Sequence, residues 1–280
     1  MELLVSLVTI INAGANALGS FFLSPIALLP GWISINIISA VLGVLLLLIF
    51  KYTSNQKTIS RIRDDIKANM LAIKLFKGSI SVAFKSQRKI FFASFKLLFH
   101  SIVPMLVMIL PVSFILSQMG MWYQARPVQL NDDPIIVKMK LNDGLEVWPE
   151  VTLQTGQAIQ NIIGPVRVLS KKEIYWKIKP IQNGYNSLIF KVGTESIKKQ
   201  LATGDGFMRL SNKRPGQNIA DIFLYPLEKP IPRDSIVHSI IIDYPSRDSR
   251  MYGTNWWLIY FFIASMMFAL IFKPFLKVRI

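Results

Sequence analysis

The chain has no cysteine, only two histidines (His100 and His238), and 16 acidic residues against 32 basic ones in 280. Without cysteine there is no disulfide and no thiolate metal site. That is compatible with a domain in the periplasm. Two distant histidines leave no HExxH, and neither a P-loop nor a GxSxG occurs. Asp64-Asp65 are adjacent on a helical stretch and point to different faces. Asp132-Asp133 lie in a linker and offer at most a weak cation contact. The sequence therefore calls for no catalytic residue, no cofactor and no metal, and the chain is not expected to be an enzyme.

Lysine, arginine, aspartate and glutamate are also missing from three apolar blocks, residues 32–50, 97–121 and 255–272. Each is about 18–25 residues long, the length needed to cross roughly 30 Å of hydrocarbon. A fourth apolar stretch, Leu3–Ile11, is too short to span. The formal net charge of +16 lies mostly beside these blocks. Residues 51–96 hold 11 basic and 2 acidic side chains, whereas residues 126–250 hold 18 and 13. Juxtamembrane basic residues orient spans and attract anionic lipid. No RNA- or DNA-binding motif accompanies the charge, so direct nucleic-acid recognition is not expected.

Three observations set the expected topology. Lys51, Lys96 and Lys273 mark one end of each block, which the positive-inside rule places in the cytoplasm. Trp32, Trp122, Tyr123, Trp256 and Trp257 mark the other ends, where amphipathic rings favour the headgroup layer. Residues 1–22 lack the basic start of a secretory signal and are expected to be retained. The expected protein is multi-pass in the cell (inner) membrane, with its N-terminus outside and residues 273–280 as a cytoplasmic tail.

Residues 1–22 read as an interfacial amphipathic helix, with Pro25 and Pro30-Gly31 breaking it before the first span. Residues 51–96 read as a basic cytoplasmic helical hairpin. Ile59, Ile62, Ile66, Asn69, Ile73, Phe76, Ile80 and Ala83 follow heptad spacing, with the turn at Gly78-Ser79. Lys57, Arg61, Arg63, Lys67, Lys74 and Lys77 occupy the exposed face. A solvated face that only fixes topology is one account of them; contact with phosphate headgroups, a ribosome or an acidic partner is the other. Pro104 and Pro111 are expected to kink the second span. Asn36, Ser101, Ser113, Gln118, Asn255 and Ser265 are polar positions in the spans and the candidate lining of a groove. Ordinary interhelical hydrogen bonding explains the same residues equally well.

Residues 126–250 change character. Short β-rich runs, 135–140, 146–153, 166–169, 174–178, 187–192, 219–225 and 236–244, alternate with Asn142-Asp143-Gly144, Asn183-Gly184, Gly204-Asp205-Gly206 and Pro215-Gly216. Seven such runs suggest an all-β, immunoglobulin-like sandwich inserted between the second and third spans. Trp176 is expected in its core.

The order of parts carries a resemblance. An outside N-terminus with an amphipathic entry helix leads to a first span. The basic, coiled-coil-like segment Ile-Phe-Lys-Tyr-Thr-Ser-Asn-Gln-Lys-Thr-Ile-Ser-Arg-Ile-Arg-Asp-Asp-Ile-Lys-Ala-Asn at 49–69 follows, then two more spans and a basic tail. This resembles the YidC/Oxa/Get superfamily of membrane-protein insertases, especially its three-span members in the endoplasmic-reticulum membrane complex and archaea, over residues 1–121 and 252–280. The resemblance implies a polar groove, open to cytoplasm and lipid, that lowers the cost of moving polar flanks of a client helix into the bilayer. It also implies a hairpin that receives a nascent chain or ribosome. Two features depart from it. No span carries the groove arginine of many bacterial members, and a long domain replaces a short loop. The alternative function is a non-catalytic scaffold subunit of an envelope complex, docking a protein partner through residues 126–250. A receptor or sensor is less favoured, because no cytoplasmic signalling domain follows any span.

Overall fold

The computed structural model describes residues 2–76, 78–142, 148–154, 156–247 and 256–278. Lys77, Asn255, Asp143-Gly144 and Glu146-Val147, all singled out above, lie outside the described residues.

Among the described residues, six α-helices and eight strands follow in order. Helix α1 is Glu2–Leu23, α2 Gly31–Thr53, α3 Gln56–Leu75 and α4 Ile80–Tyr123. Strands β1 (Ile135–Leu141), β2 (Val151–Gln154), β3 (Ile159–Val168), β4 (Glu173–Pro180), β5 (Gly184–Val192), β6 (Glu195–Thr203) and β7 (Lys213–Arg214) come next. Helix α5 (Ile219–Leu224), β8 (Val237–Ile242) and helix α6 (Trp257–Phe272) complete the chain.

Helices α1, α2 and α4 are each long and apolar enough to cross a membrane. The first two apolar blocks fall within α2 and α4. The third is shorter than expected: α6 starts at Trp257 and has 16 residues. It rises about 24 Å, less than the roughly 30 Å of hydrocarbon. The expected helix over residues 1–22 is α1; at 22 residues it is long and apolar enough to span, which the stretch Leu3–Ile11 alone is not.

The break between α2 and α3 is made at Asn55, whose side chain accepts the Thr58 amide 3.1 Å away. The expected turn at Gly78-Ser79 falls between α3 and α4. No boundary exists near residue 96: α4 runs unbroken for 44 residues, through Pro104 and Pro111. Ile59 and Ile62 of the heptad stripe are buried, while Phe76 and Ile80 are exposed.

Two compact units result, Met1–Ile35 with Phe114–Leu258, and Asn36–Ser113 with Ile259–Ile280. The first contains the strands. A five-stranded sheet has the order β3-β4-β1-β8-β7 and a three-stranded sheet the order β2-β5-β6. The named pairings are antiparallel, with Val137 facing both Trp176 and Ile242. One hydrophobic core joins side chains of both sheets, including Val137, Met139, Trp176, Phe190, Leu201 and Ile240. Trp176 is 1% exposed, with its ring 4.9 Å from that of Phe190, so it is core as expected. Gly164 lets β3 pass over it. Its φ is +132°, and a Cβ there would stand 2.7 Å from the indole.

One expected strand is a helix. Residues 219–225 form α5, because the Asn218 side chain accepts the Ala220 and Asp221 amides and nucleates the turn. Pro226 follows its end. Residues 126–250 are therefore mostly antiparallel sheet rather than all-β. Strands β6 and β7 have no counterpart among the expected runs.

Candidate functional site

The polar residues expected to line a groove take three different environments. Asn36, on α2, exchanges contacts of 2.8 and 3.1 Å with the Tyr260 hydroxyl on α6. One helical turn onward, the buried Ser39 hydroxyl has no hydrogen-bond partner. A further turn on, Gly43 meets the Ser265 backbone so closely that a Cβ would overlap the Ser265 carbonyl oxygen. Small residues permit such approach where apolar burial gives helices no drive to associate in lipid. Ser265 itself donates to the Phe262 carbonyl, 3.1 Å away. Beside it lies a cavity of about 320 Å³, lined by Leu46, Phe262, Ile263, Met266 and Ala269 together with Gly43 and Ser265. The lining is apolar, suited to an acyl chain or apolar side chain.

Ser101 and Ser113 donate to the Leu97 and Ile109 carbonyls of their own helix, 3.0 and 2.7 Å away. Gln118 lies elsewhere, near the C-terminal end of α4. Asn255 is outside the described residues. The structure thus joins Asn36 to Tyr260 and sets Ser265 against Gly43. A double-mutant cycle of Asn36→Leu and Tyr260→Phe is expected to give a coupling of about 0.6 kcal/mol, and no more than about 1.7. Reversible unfolding in detergent–lipid micelles measures it.

Gln118 takes part in a cluster that no local signal in the sequence announces. Arg209, in the loop between β6 and β7, donates to Asn16 Oδ1 at 2.7 Å and to Gln118 Oε1 at 2.9 Å. Gln118 Nε2 donates to the same Asn16 oxygen at 3.0 Å. Asn12 and Asn16 also donate to the Ile222 and Pro226 carbonyls, at and just after α5. Gly19 makes room, since a Cβ there would overlap the Gln118 amide oxygen. Burial pushes the Arg209 guanidinium below its ordinary pKa. Arg209→Ala would leave two carboxamide oxygens without their cation. It is expected to cost about 1.5–3 kcal/mol and to expose α1 to protease.

A second cluster surrounds the last residue of α4. Tyr123 OH lies 2.6 Å from Ser34 Oγ on α2, and its ring is 6.2 Å from Trp257 and 5.5 Å from Phe207. Arg247 stacks 4.0 Å over Phe207 and donates to the Trp122 carbonyl at 3.1 Å. Of the aromatics read as an interfacial belt, Trp122 and Tyr123 are thus held by loops of the β domain.

The expected basic face is largely solvent-exposed. Lys57, Arg61, Lys67 and Lys74 are exposed, Arg63 is half-buried, and Lys77 is outside the described residues. Lys51 instead donates to the Leu276 carbonyl, 2.9 Å away.

One constellation has the makings of nucleophilic chemistry. Lys199 Nζ lies 2.8 Å from Ser211 Oγ and 2.6 Å from Glu228 Oε1, and Ser211 also bonds Glu228. Burial lowers the lysine pKa to about 8. A serine beside such an amine can be activated. Here, however, Lys199 is 0% and Ser211 4% exposed, so no substrate reaches the pair. The cluster is an internal ion pair. Among the described residues, no group of three His, Asp or Glu side chains could hold a metal.

No family model, curated protein or solved structure matches the chain.

Proposed function

We propose that this chain is an insertase-like integral membrane protein that assists insertion or assembly of other membrane proteins. The observation that carries this is the order of helices. The long apolar α2 passes directly into the cation-bearing α3, and the unbroken α4 returns into an apolar stretch. In this view α2, α4 and α6 are the spans, and α3 with the start of α4 is a cytoplasmic hairpin. Helix α1 is interfacial on the far side, beside a sandwich of immunoglobulin-like type. Asn36, Tyr260 and the unpartnered Ser39 hydroxyl supply polar groups within apolar helices. A client helix carrying polar flanks loses less hydration free energy beside such groups than in hydrocarbon alone. The short α6 adds to this, because a 16-residue span favours a thinner bilayer around it.

A photo-crosslinker at Asn36 tests the idea. Adducts with a single-span client during insertion are expected. Labelling by lipid alone, at Asn36 and at Gln118, would speak against it.

A second function is favoured by one observation in the β domain. The edge strand β3 leaves Ile162, Ile163 and Val166 between 44% and 51% exposed, and Leu169 beyond it 65% exposed. Exposed apolar residues at a sheet edge suit a docking surface, as a scaffold subunit of an envelope complex requires. Deleting residues 126–250 should then release a co-purifying partner; insertion activity that survives the deletion favours the first function.

A further inference from the structure

A surface that is both basic and apolar lies where α3 ends and α4 begins. Residues 66–96 hold seven basic side chains and no carboxylate. Large apolar side chains stand among them with little cover: Leu75 is 69%, Ile80 74% and Phe84 71% exposed. A solvated face that only set orientation would need the cations and not the rings.

The spacing shows where this surface leads. Phe84, Phe91, Phe95, Leu98, Ile102 and Met105 are all exposed. They follow one another at intervals of seven, four, three, four and three residues, one face of a single helix. Arg88 falls on the same stripe, with Lys85 and Lys89 beside it, and its guanidinium lies 5.7 Å from the Phe92 ring centre. Helix α4 is uninterrupted here, so the stripe in the basic segment is continuous with the apolar surface that the second span presents to lipid. A helix of 44 residues rises about 66 Å, more than twice the hydrocarbon thickness. About twenty residues must therefore lie outside the hydrocarbon, and those residues carry the rings and the cations. Basic amphipathic helices with aromatic faces settle in the headgroup layer of anionic membranes.

We propose that the segment from Leu75 to Phe99 is an anionic-lipid-binding element. It lies along the leaflet at the Lys51 and Lys96 ends of the spans rather than standing away from it. The Phe84, Phe91 and Phe95 rings enter the acyl boundary, and Lys85, Arg88 and Lys89 meet lipid phosphates. Lying there requires α4, which the structure shows running on through Pro104, to bend near that proline, where the helix lacks a backbone N–H.

The absence of cysteine makes the test direct. The full chain carrying Phe84→Cys or Phe91→Cys is spin-labelled and placed in nanodiscs. These contain either phosphatidylglycerol mixed with phosphatidylcholine, or phosphatidylcholine alone. Collision rates with oxygen and with a water-soluble nickel chelate report depth. A label at Asp64→Cys, exposed on α3, is the aqueous reference. Labels 84 and 91 are expected to show lipid-like depth in the anionic discs. Lys85→Gln, Arg88→Gln and Lys89→Gln should each shift the bound fraction toward water by roughly fivefold in the equilibrium. Three results overturn the proposal: depth equal to that at Asp64 in both lipids, depth unaffected by removing the anionic lipid and the three cations, or protection appearing only when ribosomes are added. No client is present, so the outcome is separate from that of the insertion assay.

Discussion

Replacing Glu228 with alanine is expected to destabilise the β domain by about 3–5 kcal/mol. Lys199 occupies an inward position of β6, fully buried, and its ammonium is neutralised by a single carboxylate, that of Glu228. Removing that carboxylate leaves a cation in a low-dielectric interior with only the Ser211 hydroxyl and nearby carbonyls. Replacing both partners, as Lys199→Met with Glu228→Leu, should recover most of the loss, because the desolvation cost disappears with the charges. Urea unfolding followed by tryptophan emission, to which the buried Trp176 contributes, measures both. The pH dependence has a definite sign. Burial lowers the Lys199 pKa from its ordinary 10.5 to about 8. Between these values the unfolded chain binds more protons than the folded one, so this group makes stability rise with pH from about 8 to about 10.5. Lys199→Met should remove that rise.

Gly43→Leu is expected to weaken the pairing of α2 with α6 by about 1–3 kcal/mol. The obstacle is backbone rather than a side chain that could swing away, since the added carbon would overlap the Ser265 carbonyl oxygen. Gly43→Ala should already show part of the effect. Cysteine pairs introduced at Leu46 and Met266, both lining the cavity beside Gly43, report it through their oxidation rate. Unchanged crosslinking in Gly43→Leu would mean that the helices do not approach at this glycine.

The helical part was legible where one physical signal dominates. Uncharged apolar blocks located α2 and most of the apolar length of α4, and alternation located β1, β4 and β5. Misreadings arose where local signals compete. Residues 219–225 are rich in residues that favour strands, but the Asn218 cap and the carbonyl contacts to Asn12 and Asn16 select a helix. Alternation does not mark strand β6, because the middle of its inward stripe, between Ile197 and Leu201, is a lysine. Only the distant Glu228 makes a buried cation tolerable there. The Arg209 cluster was invisible for a related reason. Its partners lie 91 and 193 residues away in sequence, so its chemistry exists only after folding. Through it Arg209 brings a guanidinium from the β domain to the C-terminal end of α4.

Insertion itself tests the central claim most directly. The purified chain is reconstituted into vesicles containing anionic lipid, and a single-span client with a short translocated tail is synthesised in their presence. Protease protection of the tail then measures insertion. Several-fold more protected client than with empty vesicles is predicted, with most of the gain lost on Asn36→Leu. Protection no greater than in empty vesicles, with the chain folded and correctly oriented, would contradict the proposed function.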